Sequence, residues 1–293
     1  MGAIWGLVVR NLKVYLRDRA AVFFSFLSML IIIGLYALFL GKSQVNYVKQ
    51  QVGDIEGIRF LVDSWIMAGL LAVNSVTIGL GALSTMVQDG EGRSLNDFLV
   101  APIRRSHIVA SYLIASWLIG IILNSAAFII GQVYIVAGGG EILSFVPVMK
   151  VIGLLSLCVI SSSTIIFFVA TYMKTMNSYG ALTAILGTVI GFVTGVYVPL
   201  SVMPPAVQKA ASFVPATHGA AALRQVFMDR PVEIVFGESQ PELISGFMDT
   251  MGANLYIGGS PVGMTAMIGV LLLSGLLFLS LSVIRLSRSG AQR

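Results

Sequence analysis

The chain has 293 residues, of which 57% are hydrophobic and only 11% are charged, and its formal net charge is +5. Soluble domains carry roughly 25% charged residues, so this composition excludes an ordinary soluble protein and predicts an integral membrane protein. A single cysteine, Cys158, excludes a disulfide framework within the chain.

The first predicted element is an amphipathic helix over residues 1–19. Apolar residues such as Trp5 recur there at helical spacing, while Arg10, Lys13 and Arg17 share a neighbouring arc. This pattern is typical of a helix in the lipid headgroup layer, where each cation near an anionic surface contributes about 1 kcal/mol. The same cations also fit a positive flank that only sets the topology, and the two interpretations are compatible.

Residues 20–293 are predicted to form one domain with six transmembrane helices. Uncharged stretches cover residues 20–41, 64–88, 108–140, 151–173, 175–208 and 250–284. Each is long enough for the roughly 20 residues that cross a hydrocarbon core of about 30 Å. Three of them exceed 30 residues, so they must include interfacial or re-entrant pieces at their ends.

The charges indicate the orientation. With six spans, the termini and the even-numbered loops share one side, which holds eleven cations and four carboxylates, net +7. The other side holds seven cations and nine carboxylates, net −2. The positive side faces the cytoplasm, so both termini are predicted to be cytoplasmic, in the cytoplasmic membrane of a bacterium or archaeon. The excess of cations is then a topology signal and gives no support to nucleic-acid binding.

The longest outer segment, about residues 199–261, is rich in proline and acidic residues. It is predicted to form short helices that partly dip into the membrane before the last span, because proline ends helices and about 60 residues are too few for a separate ectodomain. The predicted fold class is therefore an all-α integral membrane protein with six transmembrane helices, an interfacial N-terminal helix and a short outer re-entrant hairpin.

A glycine stripe marks the fifth span. Gly187, Gly191 and Gly195 are four residues apart, and such spacing lets two helix backbones approach closely. The stripe is a candidate packing seam, either within one subunit or across a dimer.

The sequence contains no motif of a catalytic or metal-binding site. HExxH, GxSxG and CxxC are absent, and His107 and His218 are predicted on opposite sides of the membrane, so neither a metal site nor a catalytic site is predicted. The GKS at residues 41–43 is no P-loop, because Tyr36 stands where glycine is required. None of the span centres holds a charged residue, which argues against an ion-driven pump and predicts that a partner supplies the energy.

The connector at residues 89–110 concentrates charge on the cytoplasmic side. Within it, Leu95, Phe98 and Leu99 fall on one face of a predicted short helix that stops at Pro102. This helix fits either the lipid surface or a groove on a soluble partner.

Three stretches resemble the type 2 ABC exporter permease (ABC-2) family. They are EGRSLNDFLVAPIRRSHIVASYLIA at residues 91–115, RNLKVYLRDRAAVFF at 10–24, and VPLSVMPPAVQKAASFVPATHGAAALRQVF at 198–227. They resemble, respectively, the cytoplasmic connector, the amphipathic entry helix and the outer hairpin of that family. The acidic stretch after Phe227 is longer than in its simplest members, which makes assignment of a substrate by analogy unsafe.

The resemblance implies a subunit without its own ATP site that works with two cytoplasmic ABC ATPase subunits, which bind ATP and Mg. It implies a homodimer, or a pseudo-dimer with a related permease, whose halves tilt about a seam of the first and fifth spans. The segment at about residues 92–103 would be the coupling helix, docking on the ATPase through Arg93, Leu95, Phe98, Leu99, Pro102, Arg104 and Arg105. The outer hairpin would carry Pro204, Pro205, Pro215, His218 and Arg224.

The predicted function is therefore export of an amphipathic or hydrophobic substrate, such as a drug, peptide, lipid or lipid-linked glycan, without enzymatic activity or a cofactor in this chain. Two alternatives remain open at this stage. One is a non-transporting membrane protein for binding, assembly or immunity. The other is a passive channel, which would conduct without nucleotide.

Overall fold

The computed structural model describes residues 2–36, 38, 41–92, 94, 98, 100, 103–237, 241–257 and 259–289, and these residues are almost entirely helical. The elements are α1 Gly2–Arg17, α2 Arg19–Leu35, α3 Gly41–Val52, α4 Ile58–Glu91, α5 Arg105–Ala137, α6 Phe145–Ala170, α7 Met176–Val193, a 3₁₀ helix Leu200–Val202, α8 Pro205–Ser212, α9 Pro215–Phe236, α10 Pro241–Thr250, β1 Leu255–Ile257, β2 Ser260–Val262 and α11 Met264–Ser289.

Among the described residues, five helices are long and apolar enough to cross a membrane: α4, α5, α6, α7, and α11 over Met264–Leu286. The pair Ile4–Arg17 and Arg19–Leu35, bent by 77°, makes a sixth candidate when it is counted as one broken span. The predicted all-α membrane fold is thus confirmed.

Asp18 lies at the bend between α1 and α2. Its side chain accepts a hydrogen bond from the backbone N–H of Ala21 at 2.9 Å, so it is the N-cap of α2. Tyr15 is buried near the end of α1, and its hydroxyl pairs with that of Ser25 at 2.9 Å. The cap starts a new helix and the Tyr15 contact holds the two helices at their angle.

Helix α4 is the centre of the bundle. It packs against α9, α5, α6 and α7, and almost all of its apolar stretch is buried. By contrast, α7 and α11 leave most of their apolar surface exposed. At about 1.5 Å per residue, the 34 residues of α4 extend for about 51 Å, which exceeds a hydrocarbon core of about 30 Å.

Polar side chains join neighbouring helices inside the bundle. Asn74 of α4 donates to the side-chain oxygen of Asn124 of α5 at 3.3 Å. The Ser116 and Ser163 hydroxyls pair at 2.9 Å between α5 and α6, and those of Ser161 and Ser274 pair at 2.8 Å between α6 and α11. Such bonds replace contacts with water that the bilayer does not offer.

The outer side, so named from the predicted orientation, contains structure that the apolar runs did not reveal. Helix α3 lies in the polar loop before α4, and β1 and β2 form an antiparallel hairpin with Leu255 opposite Val262. Of the uncharged stretch at residues 175–208, only α7 is a long helix. It ends at Val193, where Gly195 adopts φ +68° and turns the chain toward the outer hairpin.

Candidate functional site

The connector at residues 89–110, which is predicted to be cytoplasmic, contains the predicted docking residues, and the structure describes three of these: Phe98, Arg104 and Arg105. The other four, Arg93, Leu95, Leu99 and Pro102, lie outside the described residues. Phe98 is helical and packs partly buried against the main core, whereas Val100 is helical and 84% exposed.

Arg104 and Arg105 stand where α5 begins. Arg104 is exposed and has an extended backbone at the N-cap of α5. The Arg105 guanidinium donates to the backbone oxygen of Leu286 at 2.9 Å, which ties the end of the connector to the end of α11. The structure therefore places Arg104 at the surface and Arg105 in a contact between helices.

An ion pair joins α1 to the end of α4 that is predicted to face the cytoplasm. Arg10 and Asp89 pair through both guanidinium nitrogens, Nη2 lying 2.6 Å from Oδ1 and Nη1 contacting Oδ2. Asp89 is 5% exposed although it lies in the last turn of α4. The two-point geometry fixes the direction of both side chains, which a single contact would not do.

Tyr112 and Phe98 extend this ion pair to two more elements. The Tyr112 hydroxyl of α5 donates to Asp89 Oδ2 at 2.5 Å. The Arg10 guanidinium carbon lies 5.6 Å from the centre of the Phe98 ring, within the range of a cation–π contact. Arg10 also donates to the side-chain oxygen of the buried Asn11 at 3.0 Å. We call Arg10, Asp89, Tyr112 and Phe98 the cytoplasmic hub.

A second carboxylate of α4 reaches the fifth span. Glu91 Oε2 accepts a hydrogen bond from the backbone N–H of Met176, the first residue of α7, at 2.9 Å. A carboxylate is favourable at this position because the N-terminus of a helix carries partial positive charge. The end of α4 therefore contacts both α1 and α7.

The outer face has its own fully buried cation. Arg224 of α9 is 1% exposed, and it donates to the backbone oxygens of Gly195 at 2.8 Å and Gly252 at 3.3 Å. Both oxygens follow helix C-termini, those of α7 and α10, which carry partial negative charge. Its guanidinium carbon also lies 5.2 Å from the centre of the Trp65 ring. Helix ends and an aromatic face thus stabilise Arg224.

Two further contacts fasten the outer segment to the bundle. Trp65 Nε1 of α4 donates to the backbone oxygen of Met251 at 2.7 Å, and the Tyr36 hydroxyl donates to that of Val196 at 2.9 Å. Together with the contact between Arg224 and Trp65, these two hydrogen bonds join the outer segment to α4 and to the end of the first span.

The predicted hairpin residues take structural positions. Pro204 is the N-cap residue of α8, Pro205 is its first residue and Pro215 is the first residue of α9, positions where the missing N–H of proline costs nothing. His218 Nε2 lies 2.8 Å from the backbone oxygen of Ser212 and therefore carries the proton. Burial lowers the pKa of His218, so the ring is neutral at neutral pH.

The family model of the ABC-2 type transporter matches residues 2–228. The chain belongs to the ABC-2 type transporter family. No curated protein matches it. Members of this family are membrane-spanning subunits that work with an ATPase subunit, so the protein is a multi-pass transport permease. The match includes α1, the cytoplasmic hub and most of α9.

The glycine stripe of this ABC-2 permease is not one continuous face. A side chain at Gly187 would meet nothing within 4 Å, whereas one at Gly191 would collide with the Tyr197 ring of the same subunit. Gly195 lies beyond the end of α7, in the turn. Only Gly187 of the three offers an open approach to another helix, and the neighbouring Ile185 is 63% exposed.

The residues predicted for the lipid surface separate into two groups. Trp5 is 59% exposed and Lys13 and Arg17 are exposed, as a lipid-facing helix requires. Arg10 instead turns inward to Asp89, so its main contact is an internal ion pair rather than a lipid headgroup. The sequence analysis did not single out Asp89, Tyr112 or Trp65. One signal was available for Asp89: a carboxylate in the last turn of a helix opposes the helix dipole and needs a cation nearby.

Proposed function

We propose that this ABC-2 permease is the membrane subunit of an ATP-driven exporter that moves an amphipathic or hydrophobic substrate out of the cell. Two copies of the chain form the translocation unit. Two cytoplasmic ABC ATPase subunits bind and hydrolyse ATP with Mg and dock on residues 94–102. The observation that carries the proposal is the contact of Phe98, in this connector, with Arg10 of α1, in a chain of this family.

The contact supports docking for a mechanical reason. A partner that pulls on a loosely attached loop moves only that loop. Here Phe98 packs against the core and under Arg10, while Val100, two residues away, is 84% exposed. One side of the segment is held by the bundle and the other is available to a partner, as a connector that transmits force requires.

The charges support an external energy source. Asp63 and Asp89 lie in the first and last parts of α4, 26 positions apart, which is about 39 Å along a helix. This separation exceeds the hydrocarbon thickness of about 30 Å, so both carboxylates lie near the two interfaces. Asn74, near the middle of α4, is polar but uncharged. The described part of the chain therefore supplies no charged relay at mid-membrane.

The exposed face of α7 supports the dimer. Ile185 is 63% exposed, Val189 46% and Phe192 45% on one face of the helix. Gly187 lies on the opposite face, where a Cβ would meet nothing within 4 Å. A second copy of α7 can approach closely at this glycine, and small residues are typical of helix contacts in membranes.

The docking test uses Val100→Asp in the full chain, co-expressed with its ABC ATPase partner. We expect at least a tenfold loss of co-purified ATPase, since a charge in the centre of an interface costs more than about 1.4 kcal/mol. Phe145→Asp is the matched control, because Phe145 is 76% exposed at the opposite end of the bundle and begins α6, where a carboxylate is tolerated.

Two results would contradict the proposal. Equal recovery of the ATPase with Val100→Asp and Phe145→Asp would show that residues 94–102 do not form the docking surface. Flux through the purified chain in vesicles without nucleotide would identify a passive channel. Phe98→Asp should abolish ATPase coupling as well, and it reports on packing in addition, since Phe98 is partly buried.

A further inference from the structure

The two carboxylates at the cytoplasmic end of α4 contact different elements. Asp89 reaches Arg10 of α1 and Tyr112 of α5, whereas Glu91 reaches the first N–H of α7. Both lie directly before the docking segment, and Glu91 is the last residue of α4.

We propose that Asp89 and Glu91 are positioning residues that form a coupling clamp, through which movement of the docking segment reaches α1 and α7 together. The inference rests on the proposed function and deepens it. Helix α7 is the fifth span, which the proposed function places at the dimer seam, and α1 leads directly into α2 of the first span. The clamp gives α1 and α7 each a direct polar contact with the end of α4.

The Asp89 side of the clamp resists rotation. Two oxygen atoms of one carboxylate meet two nitrogen atoms of one guanidinium, and the Tyr112 hydroxyl fixes Oδ2 from a third direction. Asp89 is 5% exposed, so water competes poorly for its oxygens. Phe98 lies against the other side of Arg10, which brings the docking segment into the same contact.

The Glu91 side is weaker and acts on the helix backbone. Glu91 is exposed, and its contact at 2.9 Å is with a main-chain N–H rather than with a side chain. A displacement of Glu91 therefore pulls directly on the first turn of α7. The side chain of Tyr179, one turn further on, donates to the backbone oxygen of Leu80 at 2.6 Å, which keeps this end of α7 against α4.

The test measures the distance between α1 and α7 by spin labels on cysteines at Lys13 and Asn177, both exposed and outside the clamp, in a Cys158→Ala background. In nanodiscs assembled from a small amount of labelled chain and an excess of unlabelled Cys158→Ala chain, each dimer holds at most one labelled copy, and the parent should give one narrow distribution. Asp89→Asn and Glu91→Gln should each broaden it at least twofold. Glu56→Gln, an exposed carboxylate before the outer end of α4, should leave it unchanged.

The second measurement adds the ATPase and traps it with vanadate. The parent distance should shift, and the clamp variants should lose the shift when the samples are compared at equal amounts of bound ATPase. Arg10→Lys keeps the positive charge but can make only a single contact with Asp89, so this variant should retain part of the shift. A variant that misfolds would retain none.

The outcomes separate the two proposals. A narrow distribution in both clamp variants, or a full shift with vanadate, would overturn the clamp and leave the exporter in place. A parent chain that binds no ATPase would refute the proposed function, while the first measurement would still report whether Asp89 and Glu91 hold α1 and α7 together.

Discussion

The substitution Gly219→Ala in α9 tests whether this helix of the outer hairpin packs closely against α6 of the bundle. A Cβ added there would lie 2.5 Å from Cys158 Sγ of α6, closer than real Cβ contacts come. Gly219→Ala must therefore push α9 and α6 apart, at a cost of about 1–3 kcal/mol for an overpacked core. Alanine also gains about 1 kcal/mol of helix propensity over glycine, so the variant needs a reference that has this gain alone.

Gly153→Ala supplies that reference. Gly153 lies on the exposed side of α6, and a Cβ there meets nothing within 4 Å. We expect Gly219→Ala to be less stable than Gly153→Ala by about 1–3 kcal/mol, which is on the order of 2–10 °C in Tm. The assay is thermal unfolding of the purified chain in one detergent, followed by intrinsic fluorescence.

The partner substitution makes the test specific. Cys158→Ala removes the sulfur that the new methyl group meets, so the Gly219→Ala/Cys158→Ala pair should be about as stable as Cys158→Ala alone, with a coupling of about 1–3 kcal/mol in the double-mutant cycle. Equal Tm values for Gly219→Ala and Gly153→Ala, or additive effects in the cycle, would refute the packing of α9 on α6.

Three further outcomes follow. Gly187→Leu should convert a dimer in detergent to monomer without lowering its Tm, and an intact dimer would contradict the dimer seam at α7. Gly191→Leu should instead lower the Tm, because its side chain collides with the Tyr197 ring of the same subunit. Trp65→Phe removes the donor to the Met251 carbonyl and should cost about 1–3 kcal/mol in the same unfolding assay, so an unchanged Tm contradicts that tether. A cysteine at Val100 should react with an impermeant maleimide only from the cytoplasmic side, and labelling from outside would refute docking there.

The membrane helices were predictable because their signal is local. A run of about 20 uncharged residues has one favourable location, and α4, α5 and α6 begin and end within about six residues of their uncharged stretches. Helix α11 begins at Met264, 14 residues after the start of its stretch at residue 250, because the β-hairpin takes up the first part of that stretch. Helix α4 runs beyond its uncharged stretch at both ends, through Asp63 and Asp89, because each carboxylate finds a cation in the fold. Composition alone does not reveal those partners.

The contacts of the candidate site were less predictable because they join distant positions. Arg10 and Asp89 are 79 positions apart, and the cations of α1 look alike in the sequence. Only the packing of α1 on α5 selects Arg10 for the interior and leaves Lys13 and Arg17 outside. The outer segment was predicted as short helices. Its β-hairpin, in which Leu255 pairs with Val262, was not predicted from the sequence.

Helix α4 joins the outer segment to the cytoplasmic hub. Its outer end donates from Trp65 to the outer segment, and its inner end holds Arg10 through Asp89, 24 positions or about 36 Å away. The outer hairpin also cannot slide along α4, because a Cβ at Gly69 would already lie 2.7 Å from Val196 and 3.1 Å from the Arg224 guanidinium. A close-packed helix transmits displacement rather than absorbing it. A tilt imposed at the cytoplasmic hub must therefore move the outer hairpin with α4 as one body, and spin labels at Lys13 and Phe213 should report the two displacements in the same step of the ATPase cycle.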